Sequence, residues 1–428
     1  MQPVAIILVV MLVALMVLGV PITFSMGIAS LVAIILSTPK MNLMMIPAKI
    51  FAGGDSFPLL AIIYFMIAGE LMLQGGLTKR IINLAKVLLG WMRGSMIVIS
   101  FACCAFFGAI SGSSLATTAA IGSIMYPEMV HDDQYDPQFA ATVQAVGGTL
   151  GTMIPPSIPL ILYGCIASAS VGNLFIGVIV PGLIMMLIYM VTGMIIIRRK
   201  GWGIQRPMKH LSLGRAFLDA IPAILSPVII LGGIYGGIFT PTEAAVVACL
   251  YSLIIGVFIY KELTWKNTYQ AFLNSAKGAA NVMFLCCGAT LFGYCMTLLG
   301  LPQFVAASLT SVLTQRWEFL LVANLIFLVC GMFIDATTTI MLIIPLLFPV
   351  ASAFGIDLVH FGIITCINLS LGMITPPFGA CMFVATNLDR RRVTIEGIYR
   401  NVIPFCITAL IGVFLVTYVE DIAMFLIR

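Results

Sequence analysis

Long apolar runs follow one another along nearly the whole chain, broken by short polar or basic stretches. Runs of about 18 residues or more cross roughly 30 Å of hydrocarbon, so the pattern predicts about ten to twelve membrane segments, some of them broken. The runs at 3–20 and 22–37 meet at Pro21, which removes a backbone donor and favours a turn. No basic region or small-residue cleavage site accompanies the first run, so it reads as a retained helix rather than a signal peptide. A short interfacial helix follows at 41–52, then a span at 59–74 that carries Glu70 and ends at Gly75-Gly76. Lys79, Arg80, Lys86 and Arg93 punctuate an amphipathic segment.

Residues 95–129 read as a hairpin that enters the membrane, turns at 111–114 and leaves by the same face. Each arm is too short to span. A polar loop at 131–138 precedes a helix from Phe139, expected to unwind at 151–156 and resume to about Ala167, and 174–197 is a full span. Arg198, Arg199, Lys200, Arg206, Lys209 and Arg215 form the main basic loop and divide the chain into halves.

The second half repeats the first. Runs at 223–239 and 244–260 flank Pro241, as the opening runs flank Pro21, and an amphipathic arm at 261–277 precedes a span at 282–299. A second hairpin at 319–351 has its tip at 335–339, a second broken helix covers 360–387, and 403–426 is the last span.

The polar breaks recur too. Gly108-Ala-Ile-Ser-Gly-Ser-Ser114 and Gly147-Gly-Thr-Leu-Gly-Thr-Met-Ile-Pro-Pro-Ser157 lie in apolar surroundings. They are answered by Gly331-Met-Phe-Ile-Asp-Ala-Thr-Thr-Thr339 and Gly372-Met-Ile-Thr-Pro-Pro-Phe-Gly379. From Gly108 to Pro156 is 48 positions, and from Gly331 to Pro377 is 46. Irregular backbone at membrane depth must be buried in protein or line a cavity. Paired broken segments in corresponding halves point to a transporter binding site.

Charge orients the copies. The loop at 168–177 has no Lys or Arg, whereas its counterpart carries Arg390, Arg391, Arg392 and Arg400. The positive-inside rule makes the first external and the second cytoplasmic, so the repeats are inverted and both termini are external. The first hairpin then enters from the cytoplasm and the second from outside. The predicted fold is an all-α polytopic membrane protein with inverted-topology repeats, two re-entrant hairpins and two broken helices.

Composition agrees: 61% of the 428 residues are apolar and only 9% charged, against about 25% charged in soluble domains. A net charge of +5 follows from basic cytoplasmic loops and argues for no nucleic acid. The 11 cysteines, without a C-x-x-C, read as packing residues. A serine hydrolase needs a base beside Ser111, but His131, His210 and His360 lie at or beside polar loops. No H-E-x-x-H or Walker loop is present, which argues against a zinc protease and an ATP-driven pump. A channel lacks support for want of a carbonyl-filter motif or an acidic ring.

The chain resembles the large membrane subunit of the TRAP (tripartite ATP-independent periplasmic) transporters. The matching stretches are Ala68-Gly-Glu-Leu-Met72 with Gly75-Gly76, both hairpin tips, both Gly…Pro-Pro breaks and Thr240-Pro-Thr-Glu-Ala-Ala245. They cover nearly the whole chain, in order. One departure is Ala336, where many relatives carry proline. The resemblance implies an elevator-type carrier of the bacterial inner (cytoplasmic) membrane that imports a carboxylated solute with Na+. It also implies two partners, a small four-helix membrane subunit and a periplasmic substrate-binding protein. Sialic acid or a similar sugar acid is favoured, with C4-dicarboxylates and keto acids as alternatives. The expected division is 1–94 scaffold, 95–173 transport domain, 174–316 scaffold and connecting arms, 317–388 transport domain, and 389–428 scaffold.

A hairpin tip meeting a broken helix gathers carbonyls and hydroxyls, hard donors for a small cation, beside helix N-termini that favour a carboxylate. Ser111, Gly112, Ser113, Gly148 and Gly151 are candidates for one sodium site, and Asp335, Thr338, Thr339, Gly372 and Thr375 for its inverted twin. Ser114, Thr149, Thr152, Ser157 and Asn368, with Pro155 and Pro156, would face the substrate. Small residues also serve plain close packing of helices; it is the two inverted copies that favour a binding role. Asp335 is the sharpest residue, since a mid-membrane carboxylate is functional by default. Glu70 and Glu243 are weaker candidates for function, since their positions outside the hairpins favour a structural role as a helix cap or the partner of an interfacial Lys.

Overall fold

The computed structural model describes residues 3–37, 43–92, 94–131, 135–203 and 212–428. Met41, Arg93, Arg206, Lys209, His210 and part of the 131–138 loop lie outside them. The regular structure is helical throughout, and nine helices among the described residues are long and apolar enough to cross a membrane.

The first half opens with α1 (Pro3–Val17) and α2 (Ile22–Leu36), which turn at Pro21 as expected. It continues with α3 (Met45–Gly54), α4 (Phe57–Gln74) and α5 (Leu77–Leu89). The first hairpin is α6 (Ser95–Ser111) with α7 (Ser114–Val130), and the first broken helix is α8 (Pro137–Met153) with α9 (Ile158–Ala167). α10 (Val171–Lys200) ends the half.

The second half runs α11 (Leu213–Tyr235), α12 (Pro241–Ile254, ending in a π-helical turn), α13 (Trp265–Leu298) and α14 (Leu301–Val312). The second hairpin is α15 (Arg316–Phe333) with α16 (Ala336–Ala353). Its broken helix is α17 (Leu358–Gly372) with α18 (Ala380–Thr386), followed by α19 (Ile395–Tyr418) and the short α20 (Glu420–Met424). Matching positions share local geometry. Gly76 and Gly300 precede α5 and α14 in the left-handed conformation, with φ of 77° and 70°. Side chains of Ser170 and Thr394 cap α10 and α19 in the same way.

Three expectations need correction. The arm at 261–277 and the span at 282–299 are one 34-residue helix, α13. In the first half, Ser56 is extended and Pro58 opens a new helix, which separates α3 from α4; the corresponding Ala-Ala-Asn of 279–281 contains no breaker. The first break is also shorter than expected, because Gly151 and Thr152 remain helical and only 154–157 unwind. The last span begins at Ile395, not 403, and stops at Tyr418.

Packing resolves two groups. In one, α4 lies along α12 and α13, while α13 also covers α2 and α3. In the other, α8 packs on α6, α7, α10, α18 and α19, and α17 packs on α15, α10 and α19. α5 and α14 reach from the first group onto α6 and α16. α10 and α19 pack with this second group. Thr192 Oγ1 donates to Thr408 Oγ1 at 2.9 Å, and Tyr189 and Phe405 both pack on Phe101. Hydropathy alone does not separate a lipid-facing span from one that covers a helical core.

Candidate binding site

Each hairpin tip is stitched to its own broken helix. Gly112 turns the first tip with φ of 61°, a conformation that favours glycine, and its carbonyl accepts from Ile158 N at 3.2 Å. A side chain there would also meet Pro156 O at 2.9 Å. In the second copy, Gly379 N donates to Met332 O at 3.0 Å. Both double prolines, Pro155-Pro156 and Pro376-Pro377, are cis.

Between the two packing groups lies a cavity of about 550 Å³. Three helix starts border it: Ser113, Ser114 and Leu115 of α7, Ile158 and Pro159 of α9, and Asp335 to Thr338 of α16. Free N–H groups and partial positive charge at such ends favour an anion. The opposite wall is apolar, with Phe24, Met66, Phe284 and Leu285, and carries one amide, Asn281. Among the described residues the lining holds no Arg, Lys or His, and its one ionisable side chain is Asp335.

The first candidate sodium cluster is contiguous. Ser111 Oγ and Thr117 Oγ1 are 3.1 Å apart, and Thr117 Oγ1 donates to Ser113 O at 2.8 Å. Gly151 packs directly on this group, where a methyl would lie 2.6 Å from Ser113 O. Gly148 is pressed against Thr118 and Ser114 O in the same manner. Hydroxyls and carbonyls of this kind suit a hard monovalent cation.

The second cluster is only partly gathered. Asp335 caps α16: its carboxylate accepts from Thr338 N at 3.2 Å and Thr338 Oγ1 at 2.6 Å, while Thr339 Oγ1 donates to Asp335 O at 3.0 Å. α16 therefore starts at Ala336 with Asp335 as its N-cap. Gly372 packs on Gly331. Thr375 Oγ1 donates back to Leu371 O at 2.8 Å and faces Cys406 of α19.

Of the residues expected to face substrate, Ser114 and Thr152 line the cavity. Thr149 donates to Val146 O at 2.7 Å and contacts Tyr189 of α10. Ser157 is buried beside Cys366. Asn368 Nδ2 donates to Asn324 Oδ1 at 2.8 Å, tying α17 to the hairpin arm α15. Pro155 and Pro156 are buried behind the tip. Glu243 is a helix cap: its carboxylate accepts from Thr240 N at 2.8 Å, and its own N–H donates to Thr240 Oγ1. Glu70 is half-buried on α4.

Sequence reasoning missed Thr117, Thr118, Asn281 and Ser370. Ser370 was open to detection, since it stands 221 positions after Thr149 in the register that pairs Gly151 with Gly372. The threonines of Ser-Gly-Ser-Ser-Leu-Ala-Thr-Thr118 lie one helical turn past the tip, where i−4 back-bonding keeps them at the site.

The same architecture occurs in a solved transporter. The YdaH transporter of Alcanivorax borkumensis superposes with a TM-score of 0.64 over 87% of this chain and 86% of that one, at 15% identity. Fold and site together define a multi-pass membrane permease with two hairpin tips at one cavity. The chain belongs to the family of the DctM component of the tripartite ATP-independent periplasmic transporters, whose family model matches residues 9–422. It is 40% identical to the isethionate TRAP transporter permease protein DctMQ of Oleidesulfovibrio alaskensis, over 96% of this chain and 64% of that protein. It is 35% identical to the C4-dicarboxylate large permease protein DctM of Rhodobacter capsulatus, over 97% and 96% of the two chains. The sialic acid large permease protein SiaM of Vibrio cholerae is 34% identical over 92% and 93%. The chain thus spans about two thirds of the first relative and nearly all of the other two.

Proposed function

We propose that this chain is the large permease of a sodium-driven importer of a small organic anion in the bacterial inner membrane. One observation carries the reading: three helix N-termini and a carboxylate border a cavity lined, among the described residues, by no basic side chain. An anion there meets only partial positive charges and must share the space with Asp335, so cations alongside it are needed for neutrality. Na+ at the Ser111–Gly112–Ser113 tip with Gly148 and Gly151, and at Asp335, Thr338 and Thr339 near Gly372 and Thr375, supplies them. Ser114 and Thr152 contact the anion, while Thr149, Ser157, Asn368, Pro155 and Pro156 frame the site.

The two packing groups support an elevator. Both hairpins and broken helices, with α10 and α19, form the moving body, and the α4–α12–α13 group holds still. α5 and α14, hinged at Gly76 and Gly300, follow the hairpins. The small membrane subunit and a periplasmic binding protein complete the transporter; the portion of the isethionate relative beyond this chain is a candidate for the former. The relatives' names span isethionate, C4-dicarboxylates and sialic acid, so the sugar acid favoured on resemblance is one arm of the test.

That test is uptake into proteoliposomes holding this chain, its small subunit and the binding protein. An inward sodium gradient should drive accumulation of one labelled anion among isethionate, succinate and sialic acid, and choline in place of sodium should abolish it. Excess unlabelled solute inside should accelerate entry of label by counterflow. Equal uptake in choline overturns the sodium coupling, and absence of counterflow overturns the carrier.

A further inference from the structure

Ser114, Thr152 and Ser370 form a buried chain of hydroxyls that runs from the cavity wall into the second repeat. Ser114 Oγ and Thr152 Oγ1 are 2.8 Å apart, and Thr152 Oγ1 and Ser370 Oγ are 2.7 Å apart. Ser370 Oγ then donates to Cys366 O at 2.7 Å. All three residues are at least 97% buried. Ser114 and Thr152 line the cavity; Ser370 does not.

A hydroxyl has one proton to give and two lone pairs to receive with. With the Ser370 proton on Cys366 O, a hydrogen bond between Ser370 and Thr152 can use only the proton of Thr152. Thr149 O, at 3.1 Å, is the other acceptor open to that proton. In either case Thr152 has none left for Ser114, and the 2.8 Å contact carries the proton of Ser114. Turning the Thr152 proton to Ser114 instead would leave its contacts with Ser370 and Thr149 O without a proton and free that of Ser114, one hydrogen bond fewer within the protein. Ser114 therefore turns its proton away from the cavity and shows the cavity a lone pair. Asp335, on the same cavity, is an acceptor as well.

We propose that Ser370, acting through Thr152, positions the Ser114 hydroxyl as an acceptor for a hydroxyl on the transported solute. The site thereby selects hydroxylated organic anions over their deoxy analogues. Ser370 is a positioning residue, and Ser114 is the group that touches the solute. This inference rests on the import reading above and adds a substrate class to it: 2-hydroxy sulfonates, hydroxy acids and polyhydroxy sugar acids fit, and unsubstituted dicarboxylates do not. A site built to bond a hydroxyl discriminates strongly against the analogue that lacks it, because its polar group is then left unpaired.

The test uses the purified permease with its small subunit, without the binding protein, so that only the membrane site selects. Thermal stabilisation in sodium chloride is titrated with two matched pairs, isethionate against ethanesulfonate and malate against succinate. In at least one pair the hydroxylated member should half-saturate at a concentration at least five-fold lower. Ser370→Ala should bring the two members of that pair level, chiefly by weakening the hydroxylated one, and Ser370→Thr should keep the preference. If Ser370→Ala does not fold, Ser114→Ala should level the pair in its place. Level binding in the wild type, or a preference that survives in Ser370→Ala, overturns the assignment while leaving anion import intact. A change confined to sodium affinity, with the preference unaltered, places the cation at Ser114 and also overturns it. If none of the anions stabilises the wild type in sodium, this assignment is overturned, while the uptake and counterflow test above still decides the import reading.

Discussion

Gly331 and Gly372 meet backbone to backbone: a methyl on Gly372 would lie 2.6 Å from the Gly331 carbonyl carbon. Their counterparts repeat the contact, since a methyl on Gly108 would lie 2.8 Å from the Gly151 Cα. Each pair sits where a hairpin arm crosses its broken helix, and this close approach brings the tip to the break. The glycines are therefore packing residues first, and they place the polar groups of the site without contributing a side chain.

Gly372→Ala sets two effects against each other. Alanine is the better helix former by about 1 kcal/mol. The contacting atoms are backbone, however, and overpacking costs about 1–3 kcal/mol when neighbours cannot shift. The clash should win, lowering the melting temperature of the purified protein and reducing sodium-dependent uptake. A melting temperature at or above that of the wild type would show that hairpin and broken helix separate freely.

The recurrence of both hairpins and both breaks was legible because glycine, serine and double proline are conspicuous within apolar runs. Legibility stopped where the deciding contacts are between distant segments. Nothing along 174–197 distinguishes a span facing lipid from one covering the α8 and α17 core, and the Tyr189–Phe405–Phe101 cluster emerges only in three dimensions. The unbroken α13 was missed for a different reason. A change from amphipathic to apolar character marks where a helix enters the membrane, and it does not mark a helix end. Asp335 stood out in the sequence as an acidic residue within an apolar hairpin, but its capping of α16 depends on an extended backbone (φ −65°, ψ 157°) that the residue type alone does not specify.

Arg80 should matter more than its ion-pair partner. It bonds Glu262, which precedes α13, and also donates to Gly76 O at 2.9 Å and lies 4.1 Å from the Tyr260 ring. A partly exposed ion pair contributes about 0.2–1 kcal/mol, and a cation–π contact about 0.5–1 kcal/mol more. Thermal melts should therefore rank Arg80→Ala as clearly more damaging than Glu262→Gln. The reverse order would leave the Gly76 hinge independent of Arg80.

Glu420 predicts an acid-side weakness at the end of the chain. Burial raises its carboxyl, but hydrogen bonding and charge from Arg316, with the charges of His360 and Arg428, outweigh that and hold it below the usual carboxylate range. A group lowered on folding stabilises above its unfolded value and loses that contribution as pH falls through the folded one. The stability gap between wild type and Glu420→Gln should be about 1 kcal/mol or less near neutrality, and should close below about pH 4. A gap that widens on acidification would contradict the sign.

Asp335 allows the cap to be separated from the charge. Asparagine is as good an N-cap as aspartate, whereas alanine in that place costs about 0.5–2 kcal/mol. Asp335→Asn should therefore keep α16 capped and leave the melting temperature in sodium-free buffer near that of the wild type, while Asp335→Ala should lower it. The charge is a different matter. The Asp335 carboxylate borders the cavity with no basic side chain among its described lining residues, and under the sodium-coupled proposal a bound cation is its partner. Removing the charge should raise the sodium concentration needed for half-maximal thermal stabilisation at least ten-fold and lower the Hill coefficient. The Ser111–Thr117 cluster, which lacks a carboxylate, should keep its own response. Sodium titrations of wild type, Asp335→Asn and Asp335→Ala, each followed by melting temperature, decide the matter. Superimposable sodium curves for wild type and Asp335→Asn would leave Asp335 as a helix cap alone and remove the second cation site.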